Sequence, residues 1–161
     1  MAICKLLLAA TASLLLAYAS AAASTVHEEL SKYGLPPGLL PDSVISYSLG
    51  GNGEFEVHLS SKCYVKFIEI VFYDKKVKGK LSYGQISDLE GIKVFKFFGW
   101  LPITGIVAHP DVQKLDFQSA FLSEVLSFSL FATIPHCIAG KGSYRRIEGL
   151  VAEQSLATSE V

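Results

Sequence analysis

The chain has 161 residues, of which 50% are hydrophobic and 18% are charged, and its formal net charge is −1. This length accommodates one domain. The near-neutral charge excludes a nucleic-acid binder that works through bulk positive charge, and the apolar content excludes a disordered chain. We therefore expect one globular domain with a hydrophobic core and without a nucleic-acid partner.

The first 23 residues have the pattern of a secretory signal peptide. Lys5 precedes the apolar run Leu6–Ala17, and small residues follow it. The run has about 12 residues, whereas a membrane-spanning helix needs about 20. We predict that residues 1–23 are removed and that the mature chain begins near Ser24. The product would have no transmembrane segment and would be secreted, with the cell wall as one destination.

Two cysteines, Cys63 and Cys137, remain in the predicted mature chain. An even number of cysteines in an oxidising compartment favours a disulfide bond. The bond would close a loop of about 75 residues and contribute on the order of 4 kcal/mol in the chain-entropy account. The alternative is a pair of buried thiols that do not meet.

A short helix is the first predicted element of the mature chain. Its single apolar stripe consists of Val26, Leu30 and Tyr33. Thr25 and Glu28 have the spacing of a capping box, and Gly34 is a favourable residue at a helix end. Pro36 then prevents continuation.

From Val44 onward the hydrophobic period changes to two, which is typical of strands. The glycine-rich turn Gly50–Gly53 separates two alternating segments, Val44–Leu49 and Phe55–Leu59, and predicts a hairpin. The pattern then predicts a strand over Cys63–Tyr73 with a bulge near Ile68, a turn at Asp74–Lys76 and a strand over Val77–Leu81. A short polar turn or helix at Gln85–Glu90, ended by Gly91, comes next. The last predicted elements are strands over Ile92–Phe98 and onward to Val107, a turn at His109–Asp111, and strands over Lys114–Phe117 and Glu124–Phe131.

These elements predict a mainly β protein. A short N-terminal helix would be followed by an antiparallel β-barrel-like domain of about seven or eight strands. The domain would span residues 24–138. A polar C-terminal tail, residues 139–161, would follow and be disordered from about residue 149.

The sequence contains no motif that assigns a chemistry. The Gly-x-Ser-x-Gly pattern of serine hydrolases is absent, and no cysteine or histidine pair has the close spacing of a zinc site. We therefore predict no catalytic residue, no metal site and no cofactor. A small esterase-like hydrolase stays an alternative, because a serine could meet His58, His109 or His136 in the folded chain.

Four lysines crowd one predicted hairpin: Lys75, Lys76, Lys78 and Lys80. One interpretation is attraction to an anionic lipid or an acidic wall polymer, which would make this a wall- or stress-associated interaction protein. The other is a solvated hairpin whose charges discourage edge-to-edge association.

The aromatic residues near the end of the most apolar strand are more numerous than one face of that strand can bury. Our candidate residues for lining a ligand cavity are Phe95, Phe97 and Trp100, and the ligand would be a lipid or another amphiphile. The alternative is ordinary packing on both sides of the sheet. Because Pro102 follows closely, we expect Trp100 at a strand end, where its ring either plugs the barrel or lines its mouth.

Several short motifs, taken in order, resemble the plant domain-of-unknown-function family 538. They are Tyr33-Gly34-Leu35-Pro36 with Gly38-Leu39-Leu40-Pro41, Phe55-x-Val57, Cys63-x-Val65, Gly79-Lys80-Leu81, Leu89-x-Gly91-Ile92-Lys93-Val94, Trp100 and Pro135-x-Cys137. The resemblance implies a small plant protein with a signal peptide and a β-barrel-like domain after a helix, a fold compared with lipid-binding bactericidal/permeability-increasing domains. It also implies a proposed esterase-like activity, and it supports the pairing of Cys63 with Cys137. It assigns no catalytic residue.

Our hypothesis from the sequence is a secreted, non-enzymatic module that binds an apolar or amphiphilic ligand. The hydrolase and the wall-associated protein are the alternatives. The sequence assigns neither the ligand nor the oligomeric state.

Overall fold

The computed structural model describes residues 24–138 and, beyond them, residues 147, 149–153 and 156. The predicted signal peptide, residues 1–23, lies outside the described residues. The described residues of the predicted tail have helical backbone conformation. The rest of residues 139–161 lies outside the described part, and the disorder expected there stays a prediction.

Helix α1 spans Val26–Lys32 and confirms the predicted helix. The Thr25 hydroxyl accepts a hydrogen bond from the Glu28 backbone N–H, and the Glu28 side chain accepts one from the Thr25 backbone N–H, so the capping box is complete. Val26 and Leu30 are buried. A 3₁₀ turn at Pro37–Leu39 follows and carries the chain across the core.

One antiparallel sheet of nine strands forms the body of the protein. The strands are β1 (Val44–Leu49), β2 (Glu54–Leu59), β3 (Cys63–Lys66), β4 (Ile70–Ser82), β5 (Gln85–Lys96), β6 (Gly99–Pro102), β7 (Gly105–His109), β8 (Lys114–Gln118) and β9 (Ser123–Ser127). The strand order is β1-β2-β4-β5-β7-β8-β9, with β3 paired to β4 and β6 paired to β5. The prediction of a mainly β, antiparallel fold is confirmed. "Barrel-like" describes it loosely, because the sheet is not closed.

The long hairpin of β4 and β5 is the spine of the sheet. Near the turn between them, β4 pairs with β2 and β5 pairs with β7. Toward the other end, β4 pairs with β3 and β5 pairs with β6. The hairpin therefore joins one part of the sheet, flanked by β2 and β7, to another part, flanked by β3 and β6.

A bend interrupts the pairing of β4 with β5 in this hairpin. Between the pairs Tyr73–Ile92 and Lys78–Glu90, β4 has residues 74–77 whereas β5 has only Gly91. Gly91 has φ of +98°, and a Cβ atom there would lie 2.4 Å from the Lys76 carbonyl oxygen. Only glycine accommodates this bend without strain.

Three predictions for this region are wrong, and the two segments predicted as turns are strand. Asp74–Lys76 lies within β4, and Gln85–Glu90 is the first half of β5. Cys63–Tyr73 is not one bulged strand but β3, a turn at residues 67–69 and the start of β4. The polar side chains suggested turns, but the pairing of Lys76 with His58 in β2 and of Gln85 with Val107 in β7 keeps these segments extended.

The last predicted strand, Glu124–Phe131, is also shorter than expected. After β9 ends at Ser127, a 3₁₀ turn at Phe128–Phe131 brings the Phe131 ring into the core. A Cβ atom on Gly38 would lie 2.3 Å from the Phe131 carbonyl oxygen, so the two 3₁₀ turns pack backbone against backbone. Together they cover one face of the sheet.

The core lies between this covered face and α1. Its buried side chains include Leu30, Leu35, Leu39, Val57, Val77, Leu89, Ile106 and Leu115. The predicted disulfide bond between Cys63 and Cys137 is confirmed, with the two Cα atoms 5.3 Å apart. It fastens the segment after the second 3₁₀ turn to β3.

Candidate functional site

An apolar cavity of about 230 Å³ lies on the inner face of the sheet. Its deep wall consists of buried side chains from the first 3₁₀ turn, β4, β5, β7 and the second 3₁₀ turn: Leu39, Tyr73, Ile92, Ile106 and Phe131. Four lining residues are exposed: Ile68 before β4, Gln118 at the end of β8, Leu122 before β9 and Ser123 at the start of β9. The cavity therefore opens between the turns that precede β4 and β9.

Three charged side chains stand together at this mouth. Lys96 Nζ lies 2.9 Å from Glu69 Oε1 and 2.5 Å from Glu124 Oε2. Burial lowers the pKa of Lys96, but its hydrogen bonds to Glu124 and Glu69 outweigh that effect and leave the pKa above its ordinary value. Lys96 is therefore charged at neutral pH, and the three groups carry a formal charge of −1 together.

Tyr73 contributes the one buried hydroxyl of the deep wall. Its O–H donates a hydrogen bond to the Leu39 carbonyl oxygen at 3.0 Å, and burial raises the pKa of this phenol. The hydroxyl is thus already partnered and stays neutral. The deep wall consequently presents an apolar surface, and the polar groups of the cavity are at its mouth.

A second cavity, of about 30 Å³, lies between α1 and the strands β1, β2, β4 and β5. Leu30, Val57 and Val77 are among its apolar lining residues. This volume is enough for only one or two water molecules, and an apolar void of that size stays dry. It is a packing defect under the helix rather than a ligand site.

The three residues predicted to line a ligand cavity lie elsewhere. Val94 and Lys96 line the large cavity, so Phe95 between them points to the opposite face of the sheet. Trp100 pairs with Phe95 across β5 and β6, and Phe97 lies exposed in the turn between those strands. None of the three is among the residues that line either cavity.

Trp100 belongs to an outer aromatic cluster on that opposite face. Its ring centroid lies 5.4 Å from that of Phe95, 5.9 Å from that of Tyr64 and 6.1 Å from that of Phe72. The indole is 37% exposed. It therefore acts neither as a plug inside the sheet nor as part of the cavity mouth, and the aromatic surplus is divided between two faces.

The sequence reasoning missed most of the cavity wall. Phe67, Leu101, Phe117 and Leu126 line it, and they come from four separate segments. The alternation of apolar residues in β8 was a usable signal for Phe117, and the alternation of Leu126, Phe128 and Leu130 was one for Leu126. No local pattern indicated that these segments would face the same cavity.

Three of the four histidines form hydrogen bonds with polar groups of the protein. His58 Nε2 lies 2.6 Å from Glu56 Oε1, and this hydrogen bond holds the pKa of Glu56 below its ordinary value. His136 forms a hydrogen bond with Asp42, and His27 Nε2 lies 3.2 Å from the Leu40 carbonyl oxygen. No histidine lines either cavity. No group of three or more potential metal ligands occurs within the described ranges.

The four clustered lysines lie along β4 and not in a separate hairpin. Lys76 Nζ is 3.6 Å from Glu56, and Lys78 Nζ is 3.3 Å from Glu90. Half of the cluster thus has carboxylate partners on neighbouring strands. This reduces the net positive potential that the sequence suggested.

The fold and the large cavity together define an open, antiparallel β protein with an apolar pocket. The chain belongs to the DUF538 family, described as proteins of unknown function, whose family model matches residues 26–132. The resemblance seen in the sequence motifs is thereby confirmed. No curated protein and no solved structure gives a significant match. Within the part of the chain that the structure describes, no helix has the length and hydrophobicity needed to span a bilayer.

Proposed function

We propose that the protein binds one molecule of a single-chain amphiphile, with the apolar chain in the large cavity and the headgroup at its mouth. The main support is that the apolar and the charged side chains of the cavity are separated. A deep wall of buried apolar side chains leads to a mouth with Lys96, Glu69 and Glu124. The cavity of about 230 Å³ is smaller than typical sites for drug-sized ligands. One acyl chain suits it better than two.

The charge at the mouth favours a neutral or zwitterionic headgroup. Lys96 is already hydrogen-bonded to two carboxylates, so it has little capacity to neutralise a ligand carboxylate. Glu69 and Glu124 would repel an anion. Neutral polar groups at the mouth, the Gln118 amide and the Ser123 hydroxyl, offer hydrogen bonds instead. A lysophosphatidylcholine should therefore bind more tightly than a fatty-acid anion of equal chain length.

Isothermal titration calorimetry with lauroyl lysophosphatidylcholine and with laurate, both below their micelle concentrations, tests the proposal. Leu126→Trp fills the cavity from β9, whereas Val125→Trp places the same ring on the exposed, opposite side of that strand. We expect Leu126→Trp to weaken lysolipid binding by about tenfold or more and Val125→Trp to leave it unchanged. Equal binding by both variants would show that the chain does not enter this cavity.

We also propose that the protein is secreted after removal of residues 1–23. The disulfide between Cys63 and Cys137 supports this, because such bonds persist in oxidising compartments. N-terminal sequencing of protein from the culture medium of a eukaryotic host should give a start near Ser24. Retention of the intact N-terminus on cell membranes would contradict the proposal.

A further inference from the structure

Three turns at the mouth of the large cavity carry exposed apolar side chains. They are the turn between β3 and β4, the turn between β5 and β6, and the turn between β8 and β9. Their exposed side chains, with the exposed fraction of each, are Ile68 (58%), Phe97 (58%), Phe98 (62%), Phe121 (77%) and Leu122 (37%). We call this set the apolar tips.

The three turns lie side by side, although they are far apart in sequence. Glu69 follows Ile68 in the first turn, Lys96 precedes Phe97 at the second, and Glu124 lies just after the third. Lys96 pairs with both carboxylates, so the ion pairs join the bases of all three turns. The apolar tips therefore project from one end of the molecule as a single group.

The turn between β5 and β6 has a sequence that its backbone geometry disfavours. Lys96 pairs with Gly99, so the two-residue loop is Phe97-Phe98, and both residues have positive φ, 52° and 69°. Two-residue hairpins with positive φ at both positions normally contain Asn-Gly, since left-handed backbone is costly for residues with a Cβ. Two aromatic rings at these positions reduce stability, and both are more than half exposed to solvent. A local loss of stability of this kind is typical of residues that serve a function.

We propose that the apolar tips dock this end of the protein on the surface of a zwitterionic phospholipid bilayer. The side chains are phenylalanine, leucine and isoleucine, which partition into the interface between headgroups and acyl chains. The charges at the bases of the turns are Lys66, Glu69, Lys96 and Glu124, which sum to zero. A neutral end with an apolar apex fits a bilayer without net surface charge, and it has no need of anionic lipid.

A second copy of the chain is a poorer occupant. The exposed area of the apolar tips is roughly 600 Å², taking about 200 Å² for each complete side chain. A stable dimer normally buries about 800 Å² on each partner. The tips are also separate projections from three turns, and a fluid bilayer accommodates such projections more readily than a second rigid protein surface.

Flotation with vesicles of pure phosphatidylcholine tests the proposal on protein purified from the medium of a secreting host. The double variant Phe97→Asn, Phe98→Gly removes both rings and introduces the preferred turn sequence, so it should fold with an equal or higher melting temperature. We expect its vesicle partition coefficient to fall about tenfold or more. Wild-type partition should change less than about twofold between low and high salt.

Tyr83→Asn is the matched control. It exchanges an exposed aromatic ring for asparagine in the two-residue turn at the opposite end of β5. We expect this variant to bind vesicles as the wild type does. Equal binding by the double variant, or no binding by the wild type, would overturn the proposal. A wild-type dimer that the double variant converts to monomer, seen by sedimentation velocity without vesicle binding, would assign the tips to self-association instead.

Docking does not depend on occupation of the cavity, and the variants separate the two. Leu126→Trp should still float with vesicles although it no longer binds monomeric lysolipid. The double tip variant should still bind monomeric lysolipid although it no longer floats. Loss of vesicle binding in Leu126→Trp would contradict docking through the tips alone.

Discussion

Lys96 at the end of β5 forms an ion pair with Glu69 in the turn between β3 and β4, with Nζ and Oε1 2.9 Å apart. Both side chains are only about one-fifth exposed, so the pair is partly protected from solvent screening. Glu124 completes the group from β9. The two ion pairs join three turns around the mouth of one cavity, so we expect the geometry of that mouth to depend on Lys96.

Lys96→Met should lower the free energy of unfolding by about 1–3 kcal/mol, because it leaves two carboxylates close together without their cation. Urea denaturation measures the loss. Lys93→Met, on the other face of β5, is the control, since the described residues provide no acidic partner for Lys93. Adding Glu124→Gln to Lys96→Met should recover part of the loss. A loss equal to that of Lys93→Met would show that the mouth does not depend on this group.

The contribution of Lys96 should also depend on pH. Its pKa in the folded chain lies above the unfolded value of 10.5. The stabilisation is therefore fully present below pH 10.5 and disappears as the pH rises through the folded-state pKa. We expect the stability difference between wild type and Lys96→Met to be constant from neutral pH to about pH 10 and to shrink above it. A difference that shrinks on acidification between pH 9 and pH 7 would contradict this assignment.

Removal of the disulfide should cost about 2–5 kcal/mol, measured with Cys63→Ala, Cys137→Ala in the absence of reductant. The two cysteines are 74 positions apart, so the bond closes a long loop and restricts the unfolded chain. Peptide mapping without reduction should first find the linked pair in the wild type. Two thiols that react with an alkylating reagent in the folded protein would show that the bond is absent.

Leu30→Ala should destabilise the protein by about 2–5 kcal/mol, because Leu30 is buried between α1 and the sheet. A helix of this length is not stable alone and depends on this contact. Ile45→Ala is the control, since it shortens an exposed aliphatic side chain on β1. Equal and small losses in both variants, measured by denaturant titration, would show that the helix is not docked in solution.

Gly91→Ala should destabilise by about 2 kcal/mol or more, since alanine there combines positive φ with contact against the Lys76 carbonyl oxygen. Gly99→Ala is the matched control in a neighbouring strand, where a Cβ atom meets no atom within 4 Å. We expect thermal unfolding of Gly91→Ala at a clearly lower temperature and little change for Gly99→Ala. Similar melting temperatures would indicate that the bend in the spine relaxes at little cost.

Local features were predictable because each depends on neighbouring residues. The capping box of Thr25 and Glu28 and the turn at Gly50–Gly53 depend on contacts within a few positions. The alternating segments of β1 and β2 likewise showed their period without reference to the rest of the chain. The predictions failed at β4 and β5, where polar residues such as Lys76 and Gln85 are held extended by partners elsewhere in the sequence.

The sequence by itself determined the β class and the opening helix, and it favoured the cysteine pair and the family. Only the tertiary structure decided which faces the aromatic residues occupy, because a period of two separates the faces of a strand without saying what each face meets. It placed Phe95 and Trp100 on the face of the sheet opposite the cavity, and it assembled the cavity from segments that are distant in sequence. It also brought Glu69, Lys96 and Glu124 together, since strand pairing and the bend at Gly91 are set by contacts between residues remote in sequence.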